Sequence, residues 1–231
     1  MKITYIGHSG FLAELDRILL LFDYYEGQLP PLPAGKRLYV FASHRHPDHF
    51  NPEVFQLTEQ CPDRFFVLSA DIWKSRVPRS CLENTVFLKP DADWTQDGLR
   101  VRTLRSTDEG VAFLINTEGH TLYHAGDLND WRWEGEPERD NLEMSKRFHR
   151  YIEPLRDMEI DAAFVPLDPR QEKDYALGLD YFLQLANPKR VYPMHCWEQY
   201  DVIGRWLAEH PDSPCRGRIV TISHRNETFI Q

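Results

Sequence analysis

Short apolar runs rich in Val, Ile, Leu, Phe and Tyr recur along the whole chain: "KITYIG", "GFLAEL", "ILLLFD", "RLYVFAS", "RFFVLS", "NTVFL", "LRVRTL", "GVAFLIN", "HTLYHAGD", "DAAFVP", "RVYPMH" and "RIVTIS". Each is too short for a globular helix and reads as a strand. Several lack polar alternation, which is the pattern of strands covered on both faces. Helical patterns fall between them, over residues 52–61, 141–158, 174–186 and 199–210. Two batches of strands with helices in each half predict an α/β fold, a four-layer αββα sandwich in which helices cover two sheets. Asp23, His44, Asp127, Asp168 and His195 all come at or just beyond the ends of strand-like runs. Layered α/β folds tend to place ligand sites there.

The most concentrated of these ends is "ASHRHPDHFNPEVF", residues 42 to 55. If the segment is extended, residues two apart share a direction, so His44 and His46 offer two imidazoles to one ion while Arg45 points elsewhere. Pro47 then turns the chain, and Asp48 and His49 face a second position. Imidazole plus carboxylate is a donor set that suits zinc, with manganese or iron also accepted. Asn51 as N-cap and Pro52 at the first helical position start a helix directly after the loop.

Charge narrows the substrate. Lys and Arg number 27 against 36 Asp and Glu, a net charge of −9 with no basic patch, so nucleic acid is excluded as a partner and a small-molecule substrate is expected. The start "MKITYIGHSG" lacks a signal-peptide run and "RILLLF" is too short to span a bilayer, so no membrane association is expected. Cys61, Cys81, Cys196 and Cys215 show no CxxC spacing and suit the reducing cytoplasm. With 42% hydrophobic and 27% charged residues and no low-complexity linker, residues 1–231 read as one domain. Nothing in the pattern specifies an oligomeric state.

The HxHxDH arrangement of His44, His46, Asp48 and His49 resembles the signature of the metallo-β-lactamase superfamily. The chain is also similar to its lactonase-like branch of metal-dependent hydrolases, which includes poorly characterised bacterial members. "ITYIGHSGFLAEL" followed by "LLLFD" resembles that branch's opening hairpin, which implies that His8 lies near the metals and that Asp23 braces the histidine loop. "LYHAGD" resembles the motif with the metal-bridging aspartate, here Asp127. "VYPMHC" resembles the motif with the last ligand histidine, here His195. One departure is clear. The superfamily's third histidine for the first metal would fall near "LRSTDEGVAF", where there is none, and no histidine lies between His49 and His120. Asp108 is the substitute ligand expected there, ahead of Glu109 and Ser106, although "STDEG" also reads as a polar hairpin turn. Asp48, His49, Asp127 and His195 would form a full second set, so one zinc ion or two are both compatible with the pattern.

The chemistry implied is hydrolysis of a small anionic ester, lactone or phosphoester by metal-bound hydroxide, with Asp48 or Asp127 orienting the nucleophile, and His8 either protonates the leaving group or is a structural strand histidine. A mononuclear iron dioxygenase is an alternative, and so is a non-catalytic metal-binding or sensor protein that has lost a ligand of the first site. Asp168 and Arg170 in "PLDPR" either grip an anionic substrate or pair with each other to fix their loop. Trp131 and Trp133 either wall the pocket or pack a loop down, Cys196 belongs to the core, and His124 is a strand residue near the site with room for a minor role.

Overall fold

A computed structural model describes residues 1–231. The chain divides into two compact units, residues 1–89 with 224–231, and residues 90–223. Each is built on a mixed sheet with helices, as the α/β class requires.

In the first unit the strands are β1 (Lys2–Gly7), β2 (Gly10–Glu14), β3 (Ile18–Phe22), β4 (Arg37–Ala42), β5 (Arg64–Ser69) and β6 (Thr85–Leu88), with helix α1 (Glu53–Leu57) after β4. They pair in sequence order, and a terminal strand, Thr228–Ile230, pairs antiparallel with β1 at the edge to make a seven-stranded sheet. The hairpin β1–β2–β3 is antiparallel and β3 to β6 run parallel. The chain therefore leaves β1, β3 and β4 at one end of the sheet, and His8, Asp23 and Ser43 are the first residues beyond those strands. Gly10 is needed where the hairpin closes, because a Cβ there would stand 3.0 Å from the Gly7 carbonyl oxygen and 3.3 Å from that of Asp23. Leu19, Leu21, Leu38, Phe66 and Leu68 are fully buried beneath this end. At about 1.5–3 kcal/mol per large apolar side chain removed from water, they make a stiff base for it.

Helix α1 is shorter than the expected 52–61. Asn51 Oδ1 accepts from the Glu53 amide at 2.9 Å, the capping contact anticipated from sequence. The helix stops early because the Thr58 hydroxyl bonds back to the Val54 carbonyl at 2.7 Å, and a tight turn from Thr58 to Cys61 follows.

The second unit contains β7 (Asp93–Gln96), β8 (Leu99–Arg105), β9 (Val111–Thr117), β10 (His120–His124), α2 (Glu138–Ile152), β11 (Glu159–Pro166), α3 (Leu177–Leu185), β12 (Asn187–Met194) and α4 (Asp201–Glu209). Its six-stranded sheet has the order β12-β11-β10-β9-β8-β7, antiparallel from β7 to β10 and parallel from β10 to β12. The carboxyl ends of three neighbouring parallel strands thus present Asp127, Asp168 and His195 side by side. Helix α2 starts before the expected 141, with Glu138 and Asp140 in the first turn where the macrodipole favours acids. It ends at Ile152, ahead of Pro154, which has no amide to continue it.

One expected strand fails and one strand was not anticipated. "RIVTIS" is not a strand and contributes one isolated bridge, Val191 to Ile219. Polar "DWTQ" is the edge strand β7, which needs only one partner and a half-buried face.

Candidate metal centre

In the first unit the motif loop is a series of bends and turns, not an extended segment, with the Phe50 amide donating to the His46 carbonyl at 2.9 Å. It still puts His44 and His46 edge to face with ring centroids 4.7 Å apart, while Arg45 is exposed and its amide donates to Asp71 at 3.0 Å. One nitrogen of His44 and one of His46 lie within 4.8 Å of each other, and the same holds for donor atoms of His8, Asp48 and His49. His8 Nε2 is 3.3 Å from Asp48 Oδ2 and His49 Nε2 is 3.8 Å from the same oxygen.

Asp23 holds this array. Fully buried, its carboxylate accepts from the Ser43 amide (2.7 Å), the Ser43 hydroxyl (2.5 Å) and His49 Nδ1 (2.7 Å). The Ser43 hydroxyl is also 3.0 Å from His44 Nδ1. A carboxylate on Nδ1 fixes the ring and directs Nε2 away from the brace, the arrangement that metal-ligating histidines use. Ser43 has a role the sequence analysis missed, since a serine between a strand and a histidine carries no distinguishing pattern. His8 and Asp23 both have positive φ, 53° and 39°, a conformation that non-glycine residues seldom adopt and that concentrates at functional sites.

The second unit supplies the other donors. Asp127 follows β10, and its turn is pinned where the Thr107 hydroxyl and Trp131 Nε1 donate to its carbonyl at 3.2 and 2.9 Å. The same Thr107 hydroxyl donates to the Asn129 carbonyl at 2.6 Å, tying the turn after β8 to the turn after β10. Carboxylate oxygens of Asp108 and Asp127 consequently lie within 4.8 Å of each other, with Asp108 exposed and Asp127 buried. Gly178 in α3 lets the helix approach, since a Cβ there would fall on the Asn129 side chain.

His195, buried and at φ 64°, has Nε2 3.5 Å from Asp127 Oδ1 and Nδ1 2.9 Å from Asp168 Oδ2. Asp168 is fully buried and also accepts from the amide, Nε and Nη2 of Arg170, at 2.6 to 3.0 Å. Burial alone would raise its pKa, yet the hydrogen bonds from His195 and Arg170 hold it at about 2. So Asp168 does for His195 what Asp23 does for His49, and the pairing of Asp168 with Arg170 is realised. His124 is buried, accepts from the Gly126 amide at 3.1 Å and packs against Phe164. Cys196 is buried and its thiol is pushed well above the usual range by desolvation, as a core thiol should be.

The donor chemistry of each unit fits a divalent metal: imidazoles braced through Nδ1, with carboxylates at their Nε2 side. No helix is long and apolar enough to cross a membrane.

A mixed α/β scaffold carrying an HxHxDH loop belongs to a broad class of metal-binding hydrolytic folds, and comparison with known proteins narrows it. Residues 2–132 match the family described as the β-lactamase superfamily domain, and the chain belongs to that family. Among curated proteins it is 26% identical over 166 residues to a UPF0173 metal-dependent hydrolase of Cereibacter sphaeroides, covering 62% of this chain and 71% of that one. It is 25% identical to another protein of that description from Carboxydothermus hydrogenoformans, over 96% of this chain and 95% of the other. Among solved structures, Igni18, a metallo hydrolase from Ignicoccus hospitalis, superposes with a TM-score of 0.66 at 18% identity, covering 99% and 97% of the two chains.

Proposed function

We propose that this chain, a metal-dependent hydrolase by its family and its relatives, cleaves a small anionic ester, lactone or phosphoester in the cytoplasm. Residues 1–231 would serve as one functional domain. In the first unit the proposed ligands are His44, His46, Asp48 and His49. In the second they are Asp108, in place of the family's third histidine, Asp127 and His195. Zinc is the proposed metal, as one ion or two. The observation that carries the reading is that both units bury a histidine whose Nδ1 is held by a buried carboxylate, Asp23 to His49 and Asp168 to His195.

A divalent ion bound by such donors lowers the pKa of water toward about 7 and polarises the group under attack. The rest is done by this chain's residues. Asp127 or Asp48 orients the attacking water and accepts its proton, and His8, beside Asp48, returns a proton to the departing oxygen. Arg170 offers its outward guanidinium nitrogen to the substrate's negative charge, while Asp168 keeps the rest of the fork in place.

The direct test assays zinc-loaded and chelator-treated protein on a panel of esters, lactones and phosphoesters. Turnover lost on chelation and restored by zinc is expected. Retained metal with no turnover across the panel would overturn the hydrolase reading in favour of a metal-binding sensor. A second result separates recognition from support. Arg170→Ala should raise KM for anionic substrates about tenfold more than for neutral analogues, or ~1.4 kcal/mol, at the low end for a charge-assisted contact because the side chain is 45% exposed. Equal losses for both would make Arg170 only a brace of its loop.

A further inference from the structure

Around His195 the second unit closes a ring of flat side chains. His195 packs on Trp131 (centroids 5.4 Å apart), Trp131 stacks on Trp133 (5.9 Å, 2° between planes), and the Arg170 guanidinium lies 5.7 Å from the Trp133 ring. Arg170 is also 4.4 Å over the Trp197 ring, which returns edge-on to His195 at 5.6 Å. Asp168 ties the ring from beneath, accepting from His195, from Arg170 and, at 3.4 Å, from Trp197 Nε1. Every member is therefore held before any ligand arrives, so little ordering is required on binding.

The upper surface of this collar is open. Trp197 is 38% exposed and the Arg170 side chain 45%. An exposed indole already fixed by a hydrogen bond and a stacked arginine presents a preformed face to a flat ligand. Arg170 spends its Nε hydrogen and one Nη2 hydrogen on Asp168, which leaves the two Nη1 hydrogens and the second Nη2 hydrogen for a ligand. The collar thus offers π-faces and a partly committed positive fork, side by side.

We infer that this collar is a substrate subsite for a planar, π-rich group carrying one negative charge, such as an aryl or other conjugated carboxylate. This rests on the proposed hydrolase reading for its link to catalysis and narrows it, since a small aliphatic anion could use only the guanidinium. A conjugated anion uses both features: its flat face stacks on an indole and the guanidinium plane, and its carboxylate accepts from Nη1.

The test measures binding of benzoate, cyclohexanecarboxylate and benzamide to the metal-loaded protein by calorimetry. Benzoate and cyclohexanecarboxylate carry the same carboxylate, so any contact of that group with metal cancels in their ratio. Benzoate is expected to bind at least tenfold more tightly than either of the other two. In Trp197→Leu its advantage over cyclohexanecarboxylate should fall to about twofold, and Trp197→Phe, which keeps a π-face, should retain most of it. Equal affinity of benzoate and cyclohexanecarboxylate for the unmodified protein would overturn the inference without recourse to a variant. So would an advantage unchanged in Trp197→Leu. The two readings fail separately: loss of all turnover on the ester panel with the benzoate preference intact removes the hydrolase and leaves the subsite, while turnover without that preference removes the subsite alone.

Discussion

Asp127→Ala should lower kcat/KM by at least about a thousandfold, roughly 4 kcal/mol of transition-state stabilisation, for anionic and neutral substrates alike. The reason lies in how many tasks meet at one carboxylate. Asp127 is 3.5 Å from His195 Nε2, lies within 4.8 Å of the Asp108 carboxylate, and sits on a turn whose carbonyl is fixed by Thr107 and Trp131. Those backbone contacts survive the substitution, so the turn should keep its shape while the side chain's proposed work disappears. Metal content measured on the same sample checks the cause, since a loss of bound zinc should accompany the loss of rate. A variant that retained a tenth or more of the activity would remove Asp127 from the centre, whatever its metal content. The independence from substrate charge separates this result from the Arg170 variant, where only anionic substrates should suffer.

Much of the candidate donor set is legible in the sequence because its signals are local. HxHxDH concentrates its donors in six residues, and a strand run before it with an N-cap after it fixes both flanks. Asp127 and His195 are less conspicuous, and what marks them in the sequence is their place just past strand-like runs. The α/β class followed from the same runs, because residues buried on both faces of parallel strands leave an unbroken apolar stretch. What escaped was non-local or polar. Edge strand β7 is half exposed and short of apolar residues, so periodicity could not find it. "RIVTIS" has the composition of a strand, and only the tertiary arrangement leaves it with a single bridge. Ser43 as a link between Asp23 and His44, and Trp197 as a wall over Arg170, are relations between side chains that no spacing rule expresses. The alternatives for Asp168 and Arg170 could not be separated from the sequence either, because an ion pair and a ligand grip use the same residue types. The depth of Asp168 beneath His195 is what joins the pair to the histidine.

Asp23→Ala should destabilise the first unit by about 3–5 kcal/mol, the cost typical of removing one partner from a buried charged hydrogen-bond set. Its carboxylate is fully buried and satisfies the Ser43 amide, the Ser43 hydroxyl and His49 Nδ1, all at 2.5 to 2.7 Å. Alanine leaves those donors without an acceptor in a site closed to water, and it also leaves a void under the loop. The positive φ of Asp23, 39°, adds to the cost, because aspartate tolerates that region through its short polar side chain and alanine does not. Urea unfolding of the metal-free protein is the measurement, read as a fall in the midpoint with an unchanged slope. Using metal-free protein matters, because bound metal would add its own stabilisation and conceal how much belongs to the brace. Asp23→Asn supplies the control: its one amide oxygen can accept either from the Ser43 amide or from the Ser43 hydroxyl and His49 Nδ1, while its NH2, a donor, faces the other side, so it should lose about half as much. If both variants unfold within 1 kcal/mol of the unmodified protein, the histidine loop is held by its own turns and the hydrophobic base beneath it. The carboxylate would then matter only for orienting His49.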